Sequence, residues 1–263
     1  MKGFLIRVGI DSETIGYCAP IFVNDEFRFE YIPIPEKDPN SVETQTYSNV
    51  EVRNKKYGTC MSDFLDEDIE WTRESDGMKF FTKDWKLHYD PEFASYTFGD
   101  YWNDLPPKER GRIPREILNL INKEPFYLFF YAGLSKYNPE TDVEVYQSPR
   151  SYFKVDKVVD TANLATKSWL SLENDFKENA HLKRGQKELE TKPVLIKGAS
   201  EDSKLLQKAI QLHYWNDKVG MYVPTDFGKK LGLPSNKGIR IVKKFDDEKT
   251  IMILDKIKEL EGR

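Results

Sequence analysis

Residues 4–10 place an apolar side chain at nearly every second position, which is the period of a strand, so the chain opens on a β-strand. Asp11, Ser12, Glu13 and Gly16 break it. Residues 21–23, an Asn24-Asp25 turn and the alternating Phe27, Phe29 and Tyr31 predict a hairpin that Pro33 and Pro35 close. From 36 to 77 the periodicity fades and acidic residues such as Asp66, Glu67, Asp68 and Glu70 read as solvated surface, before an Asp76-Gly77 turn and an apolar run over 78–81. Ile113, Ile117, Leu120 and Ile121 recur at helical spacing and predict an amphipathic helix over 114–122 with proline in its first turn. Residues 125–131, PFYLFFY, are apolar throughout and rich in strand formers, so they read as a buried strand. A polar stretch over 135–150 follows, and Tyr152, Phe153, Val155 and Val158 restart a strand, giving a central hairpin whose long loop is free for recognition.

Beyond it, Leu164, Trp169, Leu170, Leu172 and Phe176 require a core, and residues 193–196 form a strand ended by Gly198-Ala199-Ser200. Ser200 then caps a helix expected over 201–212, with Leu205, Leu206, Ala209 and Ile210 on one face. Ile239, Ile241 and Phe245 suggest a further strand, and residues 251–260 are either a strand followed by a helix or one helix. Neither a repeat nor an apolar-poor linker divides the chain, which reads as a single domain over 1–263.

Composition narrows the functional classes. At 39% hydrophobic and 32% charged, the 263 residues describe a well-solvated globular protein. Because no apolar run approaches the ~18 to 20 residues of a spanning helix and the N-terminus lacks a signal-peptide pattern, the expectation is no membrane and a cytoplasmic location. A net charge of −4 argues against a uniformly basic surface, leaving only local basic runs such as Lys183, Arg184 and Lys187. Cys18 and Cys60 stand far apart, outside any CxxC spacing, and read as buried thiols rather than thiolate metal ligands or a disulfide framework. No cofactor is implied.

Candidate chemistry is dispersed. Asp11 and Ser12 follow the first strand, where open sheets often expose ligand groups, although an ordinary turn is the plainer reading. His88, one of three histidines, lies two residues before Asp90 and could ligate a metal or move protons, while a structural pair is commoner. Asn179 and His181 precede Arg184, and the Gly-Ser turn at 198–200 could hold a phosphate with help from Ser203 and Lys204, though the spacing is not a P-loop. Trp215, after His213 and Tyr214, could stack on a flat ring or fill a core.

Taken in order, Arg7 with Gly9-Ile10-Asp11-Ser12 and Gly16, Ala19-Pro20-Ile21, Ile32-Pro33-Ile34-Pro35, Thr46-Tyr47, His88-Tyr89-Asp90-Pro91, Phe98-Gly99-Asp100, Leu128-Phe129-Phe130-Tyr131, Asn179-Ala180-His181 and Ser203-Lys204-Leu205-Leu206 resemble the third family of nucleotide-modification-associated domains. The central hairpin is similar to the barrel core of the PUA and EVE superfamily. The resemblance implies an α+β fold, a PUA-like mixed β-barrel core over 111–263 with flanking helices and an N-terminal β extension over 1–110. It also implies a genomic association with base modification. The leading functional expectation is a nucleic-acid or nucleotide binding protein that holds a modified or flipped base beside the barrel, using Ser12, Tyr47, Asn179, Arg184, Ser203, Lys204 and Trp215. The alternative is a nucleotide- or nucleic-acid-modifying enzyme in which Asp11, His88, Asp90 and His181 converge as metal ligands or general acid and base. A non-catalytic scaffold is the third.

Overall fold

A computed structural model describes residues 1–8, 18–65, 70–72, 79–106, 111–137, 145–164, 169–185, 188, 190–235 and 243–262. Asp11 and Ser12, the acidic run 66–68, the 76–77 turn, Lys187, Ile239 and Ile241 lie outside the described residues. The strands in chain order are β1 (Lys2–Arg7), β2 (Ala19–Phe22), β3 (Arg28–Phe29), β4 (Ile34–Pro35), β5 (Glu70–Thr72), β6 (Lys79–Phe81), β7 (Leu87–His88), β8 (Thr97–Asp100), β9 (Phe126–Lys136), β10 (Val145–Asp160), β11 (Val194–Gly198), β12 (Lys204–Leu205), β13 (His213–Asn216), β14 (Met221–Pro224) and β15 (Lys243–Phe245). The helices are α1 (Trp169–Phe176), α2 (Ala180–Lys183), α3 (Asp226–Lys230) and α4 (Asp247–Glu261).

The architecture is mixed α+β, dominated by one curled sheet that forms a half-barrel and that contains eleven strands among the described residues. Its spine is β9. On one edge β9 pairs in parallel first with β1, from Lys2↔Phe126 to Arg7↔Tyr131, and then with β2, from Ala19↔Leu134 to Ile21↔Lys136. On the other edge it pairs antiparallel with β10, and this ladder reaches Val145↔Ser135, so part of the expected 135–150 loop is strand. β10 in turn carries β13, β12 and β11 along its far edge, and β8 extends the sheet from β11. None of the helices among the described residues is long and apolar enough to cross a membrane.

The uninterrupted apolar run of β9 follows from burial on both faces. Phe126, Leu128 and Phe130 join Phe4, Ile6, Phe98, Phe153 and Ile196 in one core, whereas Phe129 and Tyr131 join Leu5, Tyr31, Phe245, Ile253 and Ile257 in another. Burying one such side chain contributes roughly 1.5–3 kcal/mol, which fixes the register because a one-residue slip would exchange the two faces. Gly3 lets α4 approach β1: a Cβ there would lie 2.8 Å from both Thr250 Oγ1 and Phe129 Cε2.

Two expected helices are absent. Over 114–122 only a 3₁₀ turn, Arg115–Asn119, forms, and Asn122 leaves it with φ +61° as the chain turns toward β9, although Ile113 and Ile117 are buried as the pattern required. The 201–212 segment is extended, with β12 paired to β10 and the amides of Leu206, Ile210 and Leu212 donating to the carbonyls of Arg150, Pro149 and Gln147. Its helix-like spacing comes from apolar side chains that the edge of β10 pulls into the core, so tertiary pairing overrides the local pattern. The strand-to-helix turn envisaged as a phosphate cradle is therefore not formed at 198–204.

Candidate functional site

Extended backbone projects residues i and i+2 to the same side, so a His-x-Asp sequence in a strand presents an imidazole and a carboxylate together. His88 ends β7, paired opposite Ile34 of β4, and Asp90 follows on the same side. Asp90 is held by the amide of Gly99 in β8, which donates to Oδ1 at 2.7 Å. The third member arrives on α2. Asn179 caps this helix by accepting from the His181 amide at 3.0 Å, while its own amide nitrogen donates to Thr97 Oγ1 at 3.3 Å and ties the cap to β8. The His181 ring then lies on Gly99, where a Cβ would come within 2.3 Å of His181 Cδ2, so only glycine admits this approach.

Two distant segments, β7 with the residues that follow it and α2, thus bring His88, Asp90 and His181 together, each with one donor atom within 4.8 Å of the others. All three are at most 6% exposed. Asp90 Oδ2 lies 3.6 Å from His181 Nε2 and 4.0 Å from His88 Nε2, and it has no hydrogen-bond partner. Since burying a carboxylate oxygen without a partner is costly, this atom is the anomaly of the site.

Two further carboxylates orient the rings from behind. Glu36 Oε2 lies 2.9 Å from His88 Nδ1, and Glu188 Oε1 lies 2.7 Å from His181 Nδ1. Arg184 joins them, its Nε 3.1 Å from both oxygens of Glu36 and its Nη1 donating to Glu188 at 3.1 Å. Arg184 Nη2 also stands 3.1 Å from His88 Nδ1, but a lone pair there would face the Glu36 carboxylate, so the stable tautomer carries its proton on Nδ1 and directs the Nε2 lone pair toward Asp90. Tyr101 closes the outer side, its hydroxyl donating to Glu188 at 3.3 Å.

The two rings differ in charge. Burial lowers the His88 pKa, and the nearby His181 and Arg184 charges add to that effect against Glu36, so His88 is neutral. Burial would also lower His181, but Asp90 and Glu188 outweigh it and raise its pKa to about 9. Its two N–H groups then have acceptors in Glu188 and in the Gly99 carbonyl, 3.1 Å from Nε2. Glu36, despite burial that would raise it, is held down to about 2 by His88 and Arg184.

The remaining candidates are scattered. Tyr47 is buried and donates to the Pro33 carbonyl at 2.6 Å. Ser203 is buried on Gly198, and Lys204 pairs with Glu261 at the end of α4. Trp215 packs edge-on against Tyr222 in the β13–β14 hairpin, with its Nε1 donating to Asp217 at 2.8 Å. Asn179 and Arg184 border the His88–Asp90–His181 cluster, whereas Asp11 and Ser12 lie outside the described residues. Neither Cys18 nor Cys60 forms a disulfide, and both are half-buried rather than fully buried. Sequence reading gave no site role to Glu36, Glu188 or Gly99, although Gly99 lies in one of the segments that carry the resemblance and a glycine in a strand interior signals close approach. It also missed Arg150, the extra residue of a bulge in β10, which is fully buried, donates to the Val8 carbonyl at 2.8 Å and lies over the Tyr31 ring.

The segments that build the cluster, His88-Tyr89-Asp90-Pro91, Phe98-Gly99-Asp100 and Asn179-Ala180-His181, are among those carrying the family resemblance. Comparison with curated proteins and with solved structures finds no match. The family model described as nucleotide modification associated domain 3 matches residues 2–218, from β1 through β13, and the chain belongs to that family.

Proposed function

We propose that this protein is a nucleotide- or nucleic-acid-modifying enzyme whose reactive centre is His88, Asp90 and His181. The observation that carries the reading is the convergence of these three buried side chains, brought from two distant segments and each anchored by a hydrogen bond to a further group. The family association with nucleotide modification supplies the substrate class. Structural ion pairs do not require a carboxylate oxygen left without a partner between two imidazoles, whereas reactive centres accept that cost. A PUA-like reading of the curled sheet fits the long β9–β10 ladder as its core. The modified-base reader is the weaker reading, because Tyr47, Asn179, Arg184 and Lys204 are committed to internal hydrogen bonds or ion pairs.

The test is product analysis by liquid chromatography and mass spectrometry after incubation with nucleosides, nucleotides and single- and double-stranded oligonucleotides. Wild-type protein is expected to alter one of these, and folded Asp90→Asn and His181→Gln variants to lose activity by at least ~100-fold. Variants as active as the wild type, or ligand binding without turnover, would overturn the reading.

A further inference from the structure

We infer that His88, Asp90 and His181 form a mononuclear site for a divalent first-row transition-metal ion. The inference deepens the proposed function, and rests on it only in taking this cluster as the reactive centre.

Two independent observations point to an ion. The first is the orientation of both imidazoles. Each has Nδ1 on a buried carboxylate, Glu36 or Glu188, and Nε2 on the side of Asp90, where His181 Nε2 also meets the Gly99 carbonyl at 3.1 Å. Metal-ligating histidines are held this way, with the outer carboxylate fixing the tautomer and raising the basicity of the ligating nitrogen. The second is Asp90 Oδ2, on a side chain 4% exposed overall, which is without a hydrogen bond although two imidazole nitrogens face it. At 3.6 and 4.0 Å these separations are too long for hydrogen bonds. Donors around an ion with bonds of roughly 2.0–2.2 Å stand about 3.0–3.4 Å apart, so closing the site shortens the two Asp90 separations by roughly 0.2–1.0 Å.

The donor chemistry narrows the ion. Two imidazoles and one carboxylate suit Fe²⁺, Mn²⁺, Co²⁺ or Zn²⁺ and disfavour Mg²⁺ and Ca²⁺, which seek oxygen donors. Three protein ligands leave positions for water or a substrate atom. Loading exchanges the Nε2 proton of His181 for the ion and releases that proton to solvent. Glu36, Glu188 and Arg184 are positioning residues, acting on the ion only through the rings.

The experiment uses the full chain, stripped with a chelator and titrated anaerobically with Fe²⁺ and separately with Co²⁺, Mn²⁺, Zn²⁺ and Mg²⁺. Calorimetry gives the stoichiometry, the visible absorption of bound Co²⁺ reports nitrogen and oxygen ligation, and thermal melting reports linkage to the folded state. One transition-metal ion per chain is expected, with a raised Tm and no comparable effect of Mg²⁺. Asp90→Asn and His88→Gln should each abolish the Co²⁺ spectrum, Glu188→Gln should weaken affinity by ~10–100-fold, and His213→Gln, at the remaining histidine, should leave binding unchanged. Absence of micromolar binding by any of these ions, or binding that survives both Asp90→Asn and His88→Gln in folded protein, would overturn the inference. The two readings fail separately: turnover insensitive to the chelator sinks the metal and spares the enzyme, whereas a bound ion without turnover supports the site and sinks the enzyme.

Discussion

Asp90 carries the tension of the centre, because its Oδ1 is satisfied by Gly99 while Oδ2 is buried without a hydrogen bond. Neutralising it relieves that cost while giving up the charge that, with Glu188, keeps His181 protonated, so the two effects offset. Asp90→Asn is therefore expected to leave the metal-free protein within about 1 kcal/mol of wild-type stability, or slightly above it, in urea unfolding, even as function is lost. A loss of ~3 kcal/mol or more would instead mark Asp90 as a structural anchor. Gly99 is the converse case. Adding a methyl group in Gly99→Ala drives into the His181 ring at 2.3 Å, so the variant should lose about 1–3 kcal/mol in the same measurement and displace the imidazole resonances of His181 in nuclear magnetic resonance spectra. Unchanged stability and unchanged spectra would contradict the packing described. Both residues were visible in the sequence only in part. The His88-x-Asp90 spacing announces a shared face once the segment is extended, but nothing local tells that His181, about ninety residues on, completes it.

At the scale of elements, α2 matters less as a helix than as a clamp. Its Lys183 pairs with Glu43 at 2.8 Å and its Arg184 with Glu36, so a four-residue helix pins the 36–43 segment beside β7. The last turn of α4 works similarly on the extended 204–212 segment, where Glu261 accepts from the Gln207 amide at 2.7 Å and pairs with Lys204. Burial would raise the Glu261 pKa, but Lys204 and the backbone donors prevail and hold it below the ordinary value. A depressed folded-state pKa contributes stability above the unfolded value, near 4.3, and that stability is lost as pH falls through the folded value. Glu261→Gln should accordingly cost ~1–2 kcal/mol at pH 7, with the gap to wild type closing below about pH 4 in a pH series of urea melts. A gap independent of pH would rule out the ion pair as its source. Elements that announce themselves are those whose local period matches their burial: β1, the β2–β3 hairpin, β9 and the later half of β10. The 201–212 segment misleads because Leu205, Leu206, Ala209 and Ile210 imitate a helix face while the edge of β10 dictates extended backbone. Glu36 and Glu188 leave no trace, since a buried acid reads in sequence like the many exposed ones.

The whole molecule is built outward from β9, and strands near both chain ends meet through β1. β15 pairs with β1 from Gly3↔Phe245 to Leu5↔Lys243, and Ile253 and Ile257 of α4 fill the core on that face. The family match ends at residue 218, so this cover lies beyond it. A chain truncated after residue 218 would bare the β1 edge and lose Leu231, Leu233, Phe245, Ile253 and Ile257 from the core. It is expected to be insoluble or to lack a cooperative melt, and a cooperative, soluble product would show the cover to be dispensable. The proposed metal site lies where β7, β8 and α2 gather one carboxylate and two imidazoles. Anomalous diffraction from crystals grown with Fe²⁺, Mn²⁺ or Zn²⁺, recorded at the metal edge, tests it most directly. One peak is expected about 2.0–2.3 Å from Asp90 Oδ2 and from Nε2 of both His88 and His181. An empty centre with the imidazoles unmoved and His181 still bonded to the Gly99 carbonyl would contradict it.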